Sequence, residues 1–295
     1  MNKLIEVLKL AEGHLEQRGV PSPRLSAELL LSRALGLDRL GLYLQYDRPL
    51  IESELEAFRS LIRRRAAHEP IQYILGQTGF RGLSIEVGPG VLVPRPETET
   101  LVQLILERLG GLKDGNSNRT GPVKVLDLCT GSGVVGLALA AECEDLWCLL
   151  ADNSTAALSW AAKNARSTAI RPGQVSFCCA DLSEAFGGRP VFDVVTANPP
   201  YVPSGEIAGL PEEIRRYEPL AALDGGSPDG TAVLGRIIEN SFRVMFRGAL
   251  LALEIGESQP EALENIFAAC REWYSVPEFK RDLAGKYRFV TAYRT

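Results

Sequence analysis

The apolar residues of the first 70 positions recur at helical spacing. Leu4, Leu8 and Leu15 lie on one face of a first helix, and Pro23 follows a serine at the start of a second. Apolar side chains three, four or seven positions apart share one side of an α-helix, and proline is favoured in a helix's first turn. The pattern predicts a small all-helical domain over residues 1–70.

Between residues 71 and 94 the pattern changes to short apolar runs. The runs 72–75 and 83–87 are separated by glycines, and the second is closed by a Gly-Pro-Gly sequence. Runs bounded by glycine and proline are typical of strands joined by turns. We therefore predict a β-hairpin linker over residues 71–94.

Helices and strands alternate over residues 95–295. An amphipathic helix is predicted at 97–109, and the polar, glycine-rich stretch 110–122 predicts a flexible loop. Beyond it we predict strands at 124–128, 148–151, 175–179, 192–196, 249–254 and 287–293, and helices at 134–141, 155–165, 230–244 and 259–270. Such alternation requires crossover connections, and it favours an α/β domain with a mostly parallel, doubly wound sheet.

Length, charge and cysteine usage narrow the classes of function. A chain of 295 residues fits one large and one smaller domain, and its net charge of −5 disfavours a nucleic-acid substrate, since binding phosphates favours a basic excess. No apolar run resembles a signal peptide or a membrane span, so we expect a soluble, cytoplasmic protein. The six cysteines form no C-x-x-C pair, which argues against a metal site.

A glycine-rich turn joins the first strand of the α/β domain to the next helix. The stretch begins at a strand-end acid and contains the pattern G-x-G-x-x-G over residues 131–136. Its residues are Asp127, Leu128, Cys129, Thr130, Gly131, Ser132, Gly133, Val134, Val135 and Gly136. Glycines allow a tight turn and let a cofactor approach the helix N-terminus. The pattern fits a dinucleotide, S-adenosylmethionine, or a turn that serves packing alone.

Acidic residues follow three successive predicted strands. Asp152 stands 19 positions after Gly133, where a carboxylate accepts hydrogen bonds from ribose hydroxyls. Asp127 would repel a pyrophosphate, so it favours S-adenosylmethionine over a dinucleotide. Asp181 is placed to accept from an adenine amino group while Leu182 covers the ring, although a helix-capping role for Asp181 fits equally well.

The most informative motif is Asn198-Pro199-Pro200-Tyr201, which follows an apolar strand. Ligands bind at strand-end loops in open α/β sheets, and the two prolines restrict the backbone so that the Asn198 side chain and the Pro199 carbonyl point in set directions. Two such acceptors suit both hydrogens of a planar amide or amino group, on which Tyr201 could stack. The motif therefore indicates methylation of a planar nitrogen, with a stiff surface turn as the alternative.

With these motifs placed, the chain resembles the HemK family of peptide chain release factor glutamine methyltransferases over nearly its whole length. Besides the glycine turn and the Asn-Pro-Pro-Tyr motif, the stretches 69–76, 93–99, 218–219 and 222–226 carry the resemblance. It implies a helical N-terminal domain, a β-hairpin linker and a seven-stranded class I methyltransferase domain. It also implies S-adenosyl-L-methionine as cofactor and the glutamine of a Gly-Gly-Gln motif in a release factor as the methylated residue.

The resemblance assigns roles to particular positions. Asn198, Pro199, Pro200 and Tyr201 would hold the glutamine amide, and stretch 94–99 would lie nearby. The cofactor would be held by Asp127, Cys129, Thr130, Gly131, Ser132, Gly133, Asp152, Asp181, Leu182 and Asn198. Cys129 departs from the family, where glycine is common, and its side chain is compatible with the turn if φ is negative.

Three other functions compete with this interpretation. They are a DNA or RNA amino-methyltransferase, a non-catalytic protein that retains the cofactor, and a dinucleotide oxidoreductase. The acidic charge and the compact helical domain disfavour the first. We expect a monomer whose helical domain binds the release factor. We expect neither a membrane nor a nucleic-acid partner. Deleting residues 1–70 should then weaken binding of the protein substrate and leave cofactor binding intact.

Overall fold

The computed structural model of the chain describes residues 3–114, 121–168 and 170–295. Two compact units are present: Met1–Gln77 with Pro211–Tyr217, and Thr78–Leu210 with Glu218–Thr295. The α-helices are α1 (Leu4–Gln17), α2 (Pro23–Leu35), α3 (Arg39–Leu44), α4 (Glu52–Ala66), α5 (Ile71–Leu75), α6 (Thr98–Asp114), α7 (Val134–Glu142), α8 (Thr155–Ser167), α9 (Glu212–Tyr217), α10 (Ala232–Ser241) and α11 (Pro260–Ala269). The strands are β1 (Gln77–Phe80), β2 (Leu83–Glu86), β3 (Val123–Leu128), β4 (Leu146–Asp152), β5 (Val175–Cys179), β6 (Phe192–Ala197), β7 (Met245–Glu254), β8 (Glu278–Arg281) and β9 (Tyr287–Tyr293).

The first unit is a helical bundle with its own apolar core. Leu8, Leu30 and Phe58, from α1, α2 and α4, are almost fully buried in that core. Burial of leucine and phenylalanine side chains contributes roughly 1.5–3 kcal/mol each. The bundle therefore has enough buried apolar surface to fold around a centre of its own.

A later segment of the chain belongs to this helical unit. Arg65 of α4 is 3% exposed and pairs with Glu213 of α9 at 2.7 Å, while the Tyr217 hydroxyl donates to the Ala67 carbonyl at 2.8 Å. Arg65 also donates to the Glu69 carbonyl at 2.8 Å. Arg65 belongs to a run of three arginines, and its burial against Glu213 makes it a structural anchor of Pro211–Tyr217 instead of a solvated charge.

The β-hairpin lies a few residues later than the apolar runs predict. Residues 71–75 form the short helix α5, with Pro70 at its N-terminus and Gly76 at its end with φ +78°. Ile74 packs into the helical core, which a strand at this position would not allow. The hairpin is formed instead by β1 and β2, so the prediction of a strand at 72–75 was wrong.

Seven strands of the described residues form one sheet in the order β5-β4-β3-β6-β7-β9-β8. The first five strands run parallel to one another. At the other edge, β9 pairs antiparallel with β7, and β8 pairs antiparallel with β9. The predicted mostly parallel, doubly wound sheet is confirmed. The four-residue strand β8 was not predicted, because three of its four residues are charged and exposed.

The helix α6 extends further than its apolar pattern indicates. It ends at Asp114, so 110–114 is helical where a loop was predicted; residues 115–120 of that loop lie outside the described residues. In the described part of the chain, no helix is long and apolar enough to cross a membrane.

Candidate active site

A cavity of about 230 Å³ opens at the carboxyl ends of the parallel strands. The strand order reverses at β3, which has β4 on one side and β6 on the other. Connections leave such a point toward opposite faces of the sheet, which creates a crevice outside the strand ends. The cavity receives residues from the loops that follow β3, β4, β5 and β6.

The loop after β3 turns sharply beneath the cavity. Cys129 and Gly131 both line it and have positive φ, +53° and +56° respectively. The condition under which the Cys129 side chain suits the turn, a negative φ, is not met: the residue adopts the left-handed conformation that glycine tolerates best. Thr130 and Ser132 also line the cavity, whereas Gly133 lies beneath the described lining and packs against α8 and β4.

Asp127 is a buried carboxylate that organises this turn. Its Oδ2 accepts from the Thr130 hydroxyl at 2.6 Å and from the Gly136 amide at 3.1 Å. A Cβ on Gly136 would lie 2.8 Å from the Cys148 sulfur, so only glycine allows α7 to pack this closely against β4. Burial raises the pKa of Asp127 to about 7, because the charged form is poorly solvated there.

Asp152 stands at the end of β4 on the cavity wall. Its two oxygens accept from the backbone amides of Gly131 and Ser154, each at 2.9 Å. These bonds fix the carboxylate and leave lone pairs free for a ligand hydroxyl. Burial raises its pKa above the ordinary value.

Asp181 and Leu182 line the cavity after β5, beside a residue that the sequence did not point to. Asp181 pairs at 3.0 Å with Arg236 of α10, which also lines the cavity and binds Glu184. Leu182 is 6% exposed and has φ +56°. The Asp181 carboxylate is thus held by a guanidinium, and the Leu182 side chain supplies an apolar part of the wall.

The Asn-Pro-Pro-Tyr motif follows β6 at the same edge of the sheet. Asn198 and Pro200 line the cavity; Pro199 and Tyr201 are not among its described lining residues. The Tyr201 ring is half-buried against the main apolar core, and its hydroxyl donates to Glu254 at 3.3 Å. Burial raises the pKa of Tyr201, so the hydroxyl keeps its proton.

Two buried side chains connect Asn198 with Tyr201. The Asn198 Nδ2 donates to Thr98 Oγ1 at 3.2 Å, and the Thr98 hydroxyl donates to Glu254 Oε2 at 2.7 Å. Thr98 and Glu254 are each 1% exposed, and Thr98 lines the cavity. Burial raises the pKa of Glu254 to about 7. Thr98 belongs to the stretch 94–99 that was expected near the site, but no role was predicted for it. Glu254 was not predicted, although it is an acid at the end of a predicted strand.

The backbone of the motif is held from a second side. Gln259 Nε2 donates to the carbonyl oxygens of Tyr201 and Asp229, each at 2.9 Å. The loop around Gly230 lies so close that an added Cβ would stand 2.2 Å from the Tyr201 carbonyl oxygen. Gly230 also has φ +72°, so both space and backbone conformation require glycine.

The lining residues fit a sulfonium cofactor better than a dinucleotide. Asp127 and Asp152 both face the cavity, and their negative charge attracts a cationic group and repels a pyrophosphate. Leu182 and Val134 offer apolar surface to an adenine ring. Among the described residues, no cluster of three or more His, Cys, Asp or Glu side chains could hold a metal ion. The sheet and these carboxylates define an S-adenosylmethionine-dependent methyltransferase of class I.

Comparisons with known proteins narrow the class further. Residues 6–76 match the family model described as the PrmC N-terminal domain, and residues 112–210 match the methyltransferase small domain. The release factor glutamine methyltransferase of Geobacter sulfurreducens is 39% identical over 263 residues, 89% of this chain and 87% of that protein. The protein of that name from Thermodesulfovibrio yellowstonii is 40% identical over 260 residues, 88% of each chain. The chain belongs to the release factor glutamine methyltransferase family.

A solved structure supports the fold alone. The catalytic domain of hMettl16, in complex with MAT2A 3'UTR hairpin 6, aligns with a TM-score of 0.52 at 17% identity, covering 76% of this chain and 80% of that chain. At this identity the likeness concerns the class I sheet and its helices, not the substrate.

Proposed function

We propose that the chain transfers a methyl group from S-adenosylmethionine to the side-chain amide nitrogen of the glutamine in the Gly-Gly-Gln motif of a cytoplasmic peptide chain release factor. The observation that carries this proposal is Asn198, whose side chain lines the cavity and whose Nδ2 is engaged by Thr98. Its Oδ1 is then available as an acceptor for the N–H of an incoming amide.

The cofactor supplies the electrophilic methyl group, and the residues of the chain hold both reactants. Asp152 would accept from the ribose hydroxyls, and the Asp127 carboxylate would favour the cationic amino acid end. Leu182 would cover the adenine ring. We assign Asp181 a lesser role toward the adenine, because Arg236 competes for its oxygens.

On the substrate side, Asn198 and the Pro199 carbonyl would accept the two amide hydrogens. This arrangement aims the nitrogen at the methyl group and withdraws its lone pair from conjugation with the carbonyl. Positioning of this kind contributes through orientation and fixed dipoles. Transfer would form the N–C bond and break the methyl–sulfur bond, leaving S-adenosylhomocysteine. The nitrogen would become acidic and release one proton to water, so no strong base is required.

Tyr201 contributes in two ways in this proposal. Its ring would pack on the flat amide, while its hydroxyl, bound to Glu254, and its carbonyl, bound to Gln259, fix the loop. The helical unit would bind the release factor away from the reacting amide, since no residue of that unit lines the cavity as described.

Mass spectrometry tests the proposal directly. An unmethylated bacterial class I release factor is incubated with the protein and S-adenosylmethionine, and its Gly-Gly-Gln peptide is then weighed. We expect one added methyl group on the glutamine, and none with Asn198→Ala. The control is informative only if calorimetry finds the cofactor bound to the variant. Cofactor binding by the wild-type protein without methylation of the factor would contradict the proposal, and structured RNA and DNA would be tested next.

A further inference from the structure

The side-chain amide of Asn198 has an oxygen, which accepts hydrogen bonds, and a nitrogen, which donates them. Only the oxygen suits an incoming N–H donor. The side-chain oxygen accepts an N–H, whereas the side-chain nitrogen would oppose it with hydrogens of its own. Rotation by 180° about the last side-chain bond exchanges the two ends without altering the shape of the site. The function proposed above therefore requires something that selects one orientation.

The buried contacts around Asn198 supply a directional chain. In its ionised form, which prevails above its pKa of about 7, Glu254 carries no proton and can only accept. Its two oxygens face the hydroxyls of Thr98 and Tyr201 at 2.7 and 3.3 Å, so each hydroxyl donates its single proton to Glu254. With that proton committed, the Thr98 oxygen can only accept from Asn198.

We propose that Thr98 and Glu254 are positioning residues that select the Asn198 orientation with Oδ1 toward the substrate, through the chain Asn198 Nδ2–Thr98 Oγ1–Glu254 Oε2. The reversed orientation would place Oδ1 against the lone pairs of a hydroxyl that has no proton left to give. Because Thr98 and Glu254 are each 1% exposed, water does not replace the missing donor. This inference rests on the function proposed above for its substrate, but the orientation itself is a property of the free protein.

The same chain gives a basis for discriminating glutamine from glutamate. A glutamate in the third position of Gly-Gly-Gln presents acceptors only, and it would meet the Asn198 oxygen and the Pro199 carbonyl. A site whose polar groups are left unpaired by an analogue rejects it more strongly than one that merely loses an apolar contact. If Asn198 were free to rotate, its nitrogen would face the carboxylate and part of this discrimination would disappear.

Nuclear magnetic resonance of the full-length protein tests the orientation without any substrate. We expect the Asn198 side-chain amide protons to transfer magnetisation to protons of Thr98 in the wild-type protein. The amide protons should also exchange slowly with solvent. Absence of the Thr98 contact in an otherwise assigned spectrum would overturn the proposal, whatever the substrate of the enzyme proves to be.

Substitution at Thr98 tests the functional consequence. Thr98→Val keeps the shape but removes both the donor and the acceptor, whereas Thr98→Ser keeps both. We expect Thr98→Val to lower kcat about tenfold or more with cofactor affinity near wild type, and to lower the melting temperature because the buried Glu254 loses a donor. Thr98→Ser should restore most of kcat and of the melting temperature. Thr100→Val, an equal change two residues further along α6, is the matched control and should behave as wild type.

Competition with a Gly-Gly-Glu release factor separates orientation from a general structural role. The Thr98→Val protein should bind the Gly-Gly-Glu factor about tenfold more tightly, relative to the Gly-Gly-Gln factor, than the wild-type protein does. This change corresponds to one lost discriminating hydrogen bond. A wild-type kcat and an unchanged ratio in Thr98→Val would contradict the proposal while leaving the methyltransferase function intact. A wild-type protein that methylates no release factor would contradict the proposed function, and the resonance experiment would still decide the orientation.

Discussion

Individual residues at this site store strain and buried charge. Cys129 and Leu182 have φ values of +53° and +56°, conformations that side chains with a Cβ rarely adopt, and both line the cavity. Asp127 and Glu254 are carboxylates with 1% exposure each. Such features cost free energy of folding and persist where the surroundings enforce them. Strained residues and buried carboxylates gathered at one edge of the sheet are typical of a binding site. The contribution of each residue can be tested by substitution.

Replacing Cys129 should reveal the strain of the left-handed conformation. A residue with a Cβ costs roughly 1–2 kcal/mol there, and glycine does not. We expect Cys129→Gly to be more stable than Cys129→Ala by about 1 kcal/mol in urea unfolding. The control pair is Cys179→Gly and Cys179→Ala in the extended strand β5, where the order should reverse. The same order at both sites would rule out strain at Cys129.

Glu254 should make stability depend on pH. Its folded pKa of about 7 lies above the ordinary value of 4.5, so the folded state binds the proton more tightly than the unfolded state. This contribution is fully present below pH 4.5 and is lost as pH rises through 7. Relative to Glu254→Gln, which does not titrate, the wild type should lose on the order of 3 kcal/mol across this window. Parallel stability curves measured by denaturant unfolding from pH 4.5 to 8 would refute the assignment.

At the scale of elements, the active-site loop depends on close packing of its neighbours. Gln259, at the N-terminus of α11, donates a hydrogen bond to the Tyr201 carbonyl oxygen. The loop around Gly230 approaches the same oxygen closely. Glu218 accepts from the Val93 amide at 3.2 Å and from Arg95 at 2.7 Å, which ties a further loop to the stretch before α6. Elements distant in sequence thus determine where the Asn-Pro-Pro-Tyr motif lies.

Gly230→Ala should therefore damage turnover. The added Cβ would stand 2.2 Å from the Tyr201 carbonyl oxygen, so the motif must move, and a displacement near 1 Å costs about 100-fold in rate. Gly209→Ala is a suitable control because a Cβ there meets nothing within 4 Å. We expect methylation assays to give near wild-type rates for Gly209→Ala only. Equal rates for the two variants would contradict close packing as the cause.

The elements also show why sequence reasoning succeeds in some places and not in others. The strands β5 and β9 were predicted with their observed ends, because each is a short and largely apolar run. The helix α5 was read as a strand because one short turn has no measurable period. The roles of Thr98 and Glu254 were missed for a different reason. Their hydrogen bond joins residues 156 positions apart, and neither the stretch 94–99 nor an acid at a strand end reveals that pairing.

At the scale of the whole molecule, the described lining of the cavity lies within one of the two units. Thr78–Leu210 with Glu218–Thr295 contains every described residue of the cavity lining, and the helical unit has large apolar side chains on its surface. Leu40 and Leu44 of α3 are 63% and 75% exposed. We expect these exposed leucines, on a unit that contributes no described residue to the cavity lining, to take part in binding of the protein substrate.

Substitutions on α3 should separate protein recognition from chemistry. Leu40→Ser with Leu44→Ser should raise KM for the intact release factor about tenfold, while methylation of a short Gly-Gly-Gln peptide stays unchanged. Leu283→Ser, at a fully exposed leucine before β9, is the matched control. If the α3 variant and the control gave the same KM, α3 would not be the recognition surface.

The Arg65–Glu213 ion pair should determine how firmly Pro211–Tyr217 is held. Glu213→Gln leaves the buried Arg65 guanidinium without its counter-charge, which should weaken the segment by about 1–2 kcal/mol given the partial exposure of Glu213. Trypsin should then cleave after Arg215 or Arg216 about tenfold faster. Glu206→Gln, at an exposed acid, is the control. Unchanged cleavage of Glu213→Gln would mean that other contacts hold the segment.

The discontinuity of the helical unit has a consequence for exchanging parts between homologues. A graft that replaced only residues 1–77 would join a new bundle to the old Pro211–Tyr217, and the buried guanidinium of α4 would face a foreign partner. Functional chimeras therefore need three junctions, one after residue 77 and one on each side of Pro211–Tyr217. Positions 65 and 213 should vary together among natural sequences, because a change at one position alone leaves the other charge without its partner.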